Sequence, residues 1–273
     1  FAIPGDNFDG HDFVSLALES GASVAVVMES SASRYDSETS QKLIVVKDTV
    51  ISLGQFATWW RTQLSCPVIS ITGSAGKTTT KEIARVLFSE IVGHGTASDK
   101  SLNNHLGLPL TILSADKADK WIILEAGMNH VGELSYLGDI AKPDFVLLTN
   151  VGLAHVGNFA SVGDVGDAKC ELLARVKNSG AIVFNGLSVD ALEAVRRNIK
   201  SGNITCPNII SLFDNKSDNE FGGVSMTDTL VSQNGTQAKV SINSPLLDPE
   251  ITSIWDDVSL SVPFVGKHFI QNA

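Results

Sequence analysis

The 273-residue chain has only three cysteines, Cys66, Cys170 and Cys206, and no two of them stand at C-x-x-C spacing. An odd, scattered set of thiols argues against a disulfide framework and offers no zinc-ligand pattern. A reducing, cytoplasmic setting is expected. Long apolar runs are missing too: nothing approaches the ~20 consecutive apolar residues of a membrane-spanning helix, and no leader-like pattern opens the chain. Basic runs and basic-aromatic interleaving are absent, and the formal net charge is −10. This balance speaks against general binding to nucleic acid or to an anionic membrane. Any affinity for phosphate must be local. What is left, 43% hydrophobic and 18% charged residues, is the composition of a globular protein long enough for one large or two modest cores.

The densest chemistry lies in residues 66–84, CPVISITGSAGKTTTKEIA. The β-branched run Val68, Ile69, Ser70, Ile71 predicts a buried strand, residues 73–76 a glycine-bounded loop, and Thr78 onward a helix. That order makes a phosphate seat, because loop N–H groups point inward and the helix N-terminus adds partial positive charge. Lys77 supplies a full charge, and the Thr78 hydroxyl is placed to complete a phosphate-bound Mg²⁺. ATP is the expected occupant, with Gly73, Ser74, Ala75, Gly76, Lys77, Thr78 and Thr79 as its contacts. The spacing is a shorter G-x-x-G-K-T-T form, since the usual first glycine falls on Ile71.

Residues 1–65 read as a small α/β unit: a helix over 13–20, a buried strand over 23–28, a loop over 29–40, a second strand over 43–46, and a helix from Ser52. Trp59 and Trp60 stand at helical spacing beside Phe56 and Leu64, so core packing is preferred over a base-stacking platform. Residues 66–273 form the larger unit. Strands are predicted over 121–124, 145–149 and 181–184, the first ending at Glu125 and the second followed by Asn150 and His155. Ser161 and Asp164 open a helix through Lys169 as a capping box, and a further helix covers 190–199. Strands separated by helices predict a mostly parallel sheet. Asn234-Gly235 between alternating runs, and the alternation of Val258, Leu260, Val262 and Phe264, predict an antiparallel appendage.

Lys77, Thr78, Glu125, His155 and Lys169 thus gather at one sheet edge, where open α/β sheets bind ligands. Hydroxyl, carboxylate and imidazole can all ligate Mg²⁺, although imidazole is unusual for so hard an ion. Taken by themselves, His155 is as readily a structural loop histidine, and Lys169 reads as a surface lysine on a helix.

The strings TGSAGKTTTKE, SLNNHLGLPLTIL, LEAGMNHVGELSYLGDIAKPDFVLLTNVGLAHVGNFAS and DAKCELL resemble the Mur ligases. The opening FAIPGDNFDGHDFVSLALESGASVAVV resembles that family's uridine-nucleotide-binding domain without its first strands. The likeness covers nearly the whole chain, and the run from Glu125 to His155 is most similar to members that add D-alanyl-D-alanine to UDP-MurNAc-tripeptide. It implies ATP-dependent amide formation through an acyl phosphate, in peptidoglycan precursor synthesis. By resemblance Lys77 binds the transferred phosphate, Thr78 and Glu125 hold a first Mg²⁺, His155 a second, and Asn103 or Asn104 contacts substrate. Lys169 matches a lysine that the family carbamylates with CO₂, which turns a repelled ammonium into an anion beside the metal. Cys170 stands where glycine is common. GKHFIQNA resembles a helix start in which Asn272 contacts adenine, while Phe269 replaces a first asparagine. Both ends are expected to be truncated, with the family's third domain absent and the chain alone inactive. A monomer is expected. Two rivals stay open: another amide ligase of the superfamily, of the folylpolyglutamate or MurE type, and a non-catalytic nucleotide-binding remnant.

Overall fold

The computed structural model describes residues 1–100, 102–152, 158–213, 221–232, 235–243 and 258–262. The first elements are α1 (Val14–Glu19), β1 (Ala25–Met28), α2 (Ser37–Ser40) and β2 (Leu43–Val46). β1 and β2 pair in parallel as a separate two-stranded sheet over a small core of Ala2, Val14, Ala25 and Val27. Residues 29–40, expected as loop, hold a 3₁₀ turn over Glu29–Arg34 and then α2, whose first turn is fixed by Asp36 accepting from the Thr39 amide. β2 forms where the second strand was expected, with Ile44 and Val45 half exposed. Among the described residues β1 is its one neighbouring strand, which leaves too little structure around it to cover both faces.

α3 (Thr49–Gln63) is opened by Asp48, whose carboxylate accepts from the amides of Val50 and Ile51. It packs on two later helices, over Gly107–Ser114 and Glu133–Ala141, burying Leu53, Gly54 and Ala57. Trp60 lies against this core and donates to the Ala115 carbonyl, whereas Trp59 stays half exposed and stacks on Phe56.

The remaining elements are β3 (Val68–Thr72), α4 (Lys77–Ile91), β4 (Thr96–Ala97), α5 (Gly107–Ser114), β5 (Ile122–Glu125), α6 (Glu133–Ala141), β6 (Phe145–Leu148), α7 (Val162–Leu173), β7 (Ala181–Asn185), α8 (Val189–Lys200), β8 (Ile209–Phe213), β9 (Gly222–Ser232), β10 (Gly235–Asn243) and β11 (Val258–Val262). They build a nine-stranded sheet of order β11-β10-β9-β8-β7-β6-β3-β5-β4. It is parallel from β4 to β9 and antiparallel across β9, β10 and β11, the mostly parallel α/β fold with an antiparallel appendage that the sequence predicts. The parallel part runs further than expected, since β8 and β9 still pair in parallel.

Strand alternation sorts the central residues by face. Ile71, Trp121 and Ile123 share one core cluster, with Ala84 and Phe88 of α4 packed against it. Val68, Ile122, Leu124, Val146 and Leu148 join the larger cluster, with residues of α5, α6 and α7. Both faces are therefore covered, as parallel strands require. β3 lies between β5 and β6, so successive connections leave it in opposite directions and open a crevice beyond its C-terminal end.

Candidate active site

Two glycines set the loop beyond β3. Gly76 sits at φ +82 as the N-cap of α4, and Gly73 at φ +148, where an added Cβ would stand 1.9 Å from the Thr149 hydroxyl. Neither position takes a side chain without distortion. α4 then begins with no side-chain cap, and its first hydrogen bond here runs from the Thr80 amide to the Gly76 carbonyl. The amides of Gly76, Lys77, Thr78 and Thr79 are left without a protein acceptor among the described residues, at the positive end of a 15-residue helix. Lys77 Nζ folds back to the Gly73 carbonyl at 2.8 Å. Burial pulls the Lys77 ammonium below its ordinary pKa, and the Glu125 charge opposes that shift.

Glu125 is the last residue of β5 and follows Ile123 on the face that α4 covers, so its carboxylate meets the first turn of that helix. Thr78 Oγ1 donates to Oε2 at 2.8 Å and Asn103 Nδ2 to Oε1 at 2.8 Å. The residue is 1% exposed, and no cation pairs with it directly among the described residues. This carboxylate, met by neutral donors, forms with the hydroxyl beside it an oxygen donor pair suited to a hard divalent cation. Asn104 has a different place: its Oδ1 accepts from the amides of Leu106 and Gly107, which open α5. Of the two asparagines, Asn103 reaches the carboxylate.

The carboxylate is held from behind as well. Its amide donates to Ser98 Oγ, and the fully buried Lys81 donates to the carbonyls of Ser98 and Lys100 at 2.7 and 2.8 Å. Lys81 thereby anchors the segment that leads to Asn103. Its place four residues after Lys77 on one helix is the signal that could have revealed it.

The loop is less open than the sequence suggests. The amides of Ser74 and Ala75, expected to face phosphate, both donate to Asn150 Oδ1, at 3.0 and 2.8 Å. Around the crevice, an open cleft of about 420 Å³ is lined by Gly76, Lys77, Thr78, Asn103 and Glu125. A neighbouring pocket of about 600 Å³ runs from Lys77, Asn103 and Asn104 to Asn129 and Glu133.

Residues 71–273 match the Mur ligase middle domain. The chain belongs to the Mur ligase family. It is 36% identical over 196 residues to the UDP-N-acetylmuramoyl-tripeptide--D-alanyl-D-alanine ligase of Synechocystis sp., covering 72% of this chain and 42% of that protein. It is 29% identical to the ligase of the same name from Escherichia coli, over 100% of this chain and 54% of that one. A crystal structure of MurF from Acinetobacter baumannii superposes with a TM-score of 0.79 at 28% identity, over 99% of this chain and 53% of that one. The chain thus spans about half the length of these relatives.

For a Mur ligase the Mg²⁺ that the family implies fits the donor set, since Thr78 and Glu125 offer hydroxyl and carboxylate oxygens to one point. Lys169 lies on α7, which Ser161 opens by accepting from the Asp164 amide as the capping box predicts. It is 2% exposed, and no hydrogen bond or ion pair reaches its ammonium among the described residues. Burial first, and then the facing charge of Lys77, bring its pKa down to about 8. This is no surface lysine. Cys170 beside it is buried, and burial pushes its thiol up to about 12, so it stays protonated and unreactive at neutral pH. His155, Phe269 and Asn272 lie outside the described residues.

Proposed function

We propose that this chain is the nucleotide-binding part of a ligase that uses ATP to join D-alanyl-D-alanine to UDP-MurNAc-tripeptide. The observation that carries the reading is the convergence of Thr78 and Asn103 on the Glu125 carboxylate, beside Lys77 at an uncapped helix N-terminus. That arrangement suits a nucleoside triphosphate with its cation, and the relatives named above bear this activity in their names. ATP passes its terminal phosphoryl group to the peptide carboxylate, the dipeptide amine attacks the acyl phosphate, and phosphate leaves as the amide forms. Lys77 and the α4 amides hold the phosphates in line and offset the charge that gathers on them. A Mg²⁺ held by Thr78 and Glu125 supplies further neutralisation of that charge when bound, and by resemblance His155 holds a second.

Lys169 fits the carbamate role: a buried amine with a pKa near 8 holds a neutral fraction at physiological pH, and the neutral amine is the form that adds CO₂ with loss of a proton. The pocket from Asn103 to Glu133 is assigned to the peptide substrate, residues 1–65 to a partial uridine-nucleotide unit and 66–273 to the ATP unit. By resemblance Asn272 meets adenine. The test is release of phosphate from ATP by the purified protein. Release that requires both UDP-MurNAc-tripeptide and D-alanyl-D-alanine supports the reading. Release indifferent to the two substrates, or failure to bind Mg–ADP, contradicts it, whereas ADP binding without turnover is what a part of the ligase that is inactive by itself would show.

A further inference from the structure

Segment 149–152, just past β6, is bonded to the phosphate loop along its length. The Ser74 amide meets both the carbonyl oxygen of Asn150, at 3.1 Å, and its Oδ1, at 3.0 Å. The Ala75 amide donates to the same Oδ1 at 2.8 Å. Thr149 Oγ1 donates to the Ala75 carbonyl, and Ser74 Oγ both donates to the Gly152 carbonyl and accepts from its amide. The two converging N–H donors identify the Asn150 atom between them as the carbonyl oxygen.

A glycine-bounded loop with four residues to order loses much conformational freedom when it closes on a ligand. Here that ordering is already made. With Ser74 and Ala75 turned to Asn150, the amides of Gly76, Lys77, Thr78 and Thr79 are the ones presented to an anion.

We propose that Asn150 is a positioning residue for nucleotide: its side-chain carbonyl holds the phosphate loop in the binding geometry before ligand arrives. The proposal rests on the reading of that loop as a phosphate seat.

Asn150→Ala removes the acceptor, and Asn150→Asp keeps one, since a carboxylate can take both N–H bonds. Two readouts separate the outcomes. Backbone amide exchange at Ser74 and Ala75, measured by NMR without nucleotide, reads the latch itself. Titration with Mg–ADP reads its effect. The proposal expects Asn150→Ala to lose protection at both amides and to bind Mg–ADP at least ~10-fold more weakly, about 1.4 kcal/mol, with affinity for UDP-MurNAc-tripeptide unchanged. Asn150→Asp is expected to keep the protection. Unchanged or tighter Mg–ADP binding by Asn150→Ala overturns the proposal, tighter binding meaning that Asn150 competes with phosphate for those amides. Loss of protection in Asn150→Asp overturns it independently, even if the alanine variant fails to fold. If the wild-type protein binds no Mg–ADP while Ser74 and Ala75 are protected, the reading of the loop as a phosphate seat fails and the latch stands as geometry alone.

Discussion

The two ends of the central strands treat buried charge in opposite ways. At the N-terminal end, Asp144 just before β6 accepts from Arg61, Lys177 and the Val68 amide, and Arg61 also donates to the carbonyls of Leu64, Ala141 and Lys142. Asp119, before β5, accepts from His94, Thr96 and the Asp116 amide. At the C-terminal end, Lys77 has a backbone carbonyl, Glu125 has neutral donors, and Lys169 has nothing among the described residues. Paired charges close one end of the sheet as structure. Charges left without counter-charges at the other end are the mark of a ligand site, because burying them is costly until a ligand answers them.

The contrast can be broken hardest at Lys77. Lys77→Ala is expected to weaken Mg–ADP binding by at least ~100-fold in calorimetry, by removing the charge-assisted contact to phosphate, with little loss of thermal stability. Arg61→Leu should do the reverse. It strands Asp144 and several carbonyls, costing about 3 kcal/mol in denaturant unfolding, while Mg–ADP affinity of the folded protein stays within ~2-fold, the sites being remote.

Lys169 sharpens the comparison through pH. Its folded pKa of about 8 lies below the ordinary 10.5, so between those values the unfolded chain binds the extra proton and stability rises with pH. Below the folded value the cost is fully present. Lys169→Met in CO₂-free buffer should therefore be more stable than wild type at pH 7, by up to about 3 kcal/mol, and the gap should close as pH climbs from about 8 toward 10.5. A gap independent of pH would contradict a buried, charged amine. The smallest effect belongs to Asn104→Ala, which loses the bonds that open α5 at about 1 kcal/mol and should leave Mg²⁺ dependence intact, unlike Asn103→Ala.

What could be read in the sequence was what adjoining residues decide. The β3–loop–α4 unit, the placing of Glu125 at a strand end, the Ser161 capping box and the Asn234-Gly235 hairpin signal each depend on a few neighbouring side chains. The pairing of Gly235 with Ser232 makes that glycine the first residue of β10. Contacts made by the fold were not legible: Asn150 meets the phosphate loop across 76 residues of chain, and Lys81 looks like any helix charge until the carbonyls of Ser98 and Lys100, just past β4, accept from it. α5 and α6 escaped notice because Pro109 and Gly138 interrupt their patterns, yet Pro109 is in the first turn, where no amide partner is lost, and Gly138 makes room for Arg175. The burial of Lys169 was not legible either, since burial is a property of packing.

The central claim is that Glu125 and Thr78 complete a cation and phosphate site at the C-terminal end of β3 and β5. Calorimetric titration of wild type and Glu125→Gln with ADP, each with Mg²⁺ and with chelator, tests it most directly. The account predicts tight binding by wild type only with Mg²⁺, and weak, metal-indifferent binding by the variant, whose fold is retained because the amide still accepts from Thr78. Equal affinity of the two proteins in Mg²⁺ would contradict it.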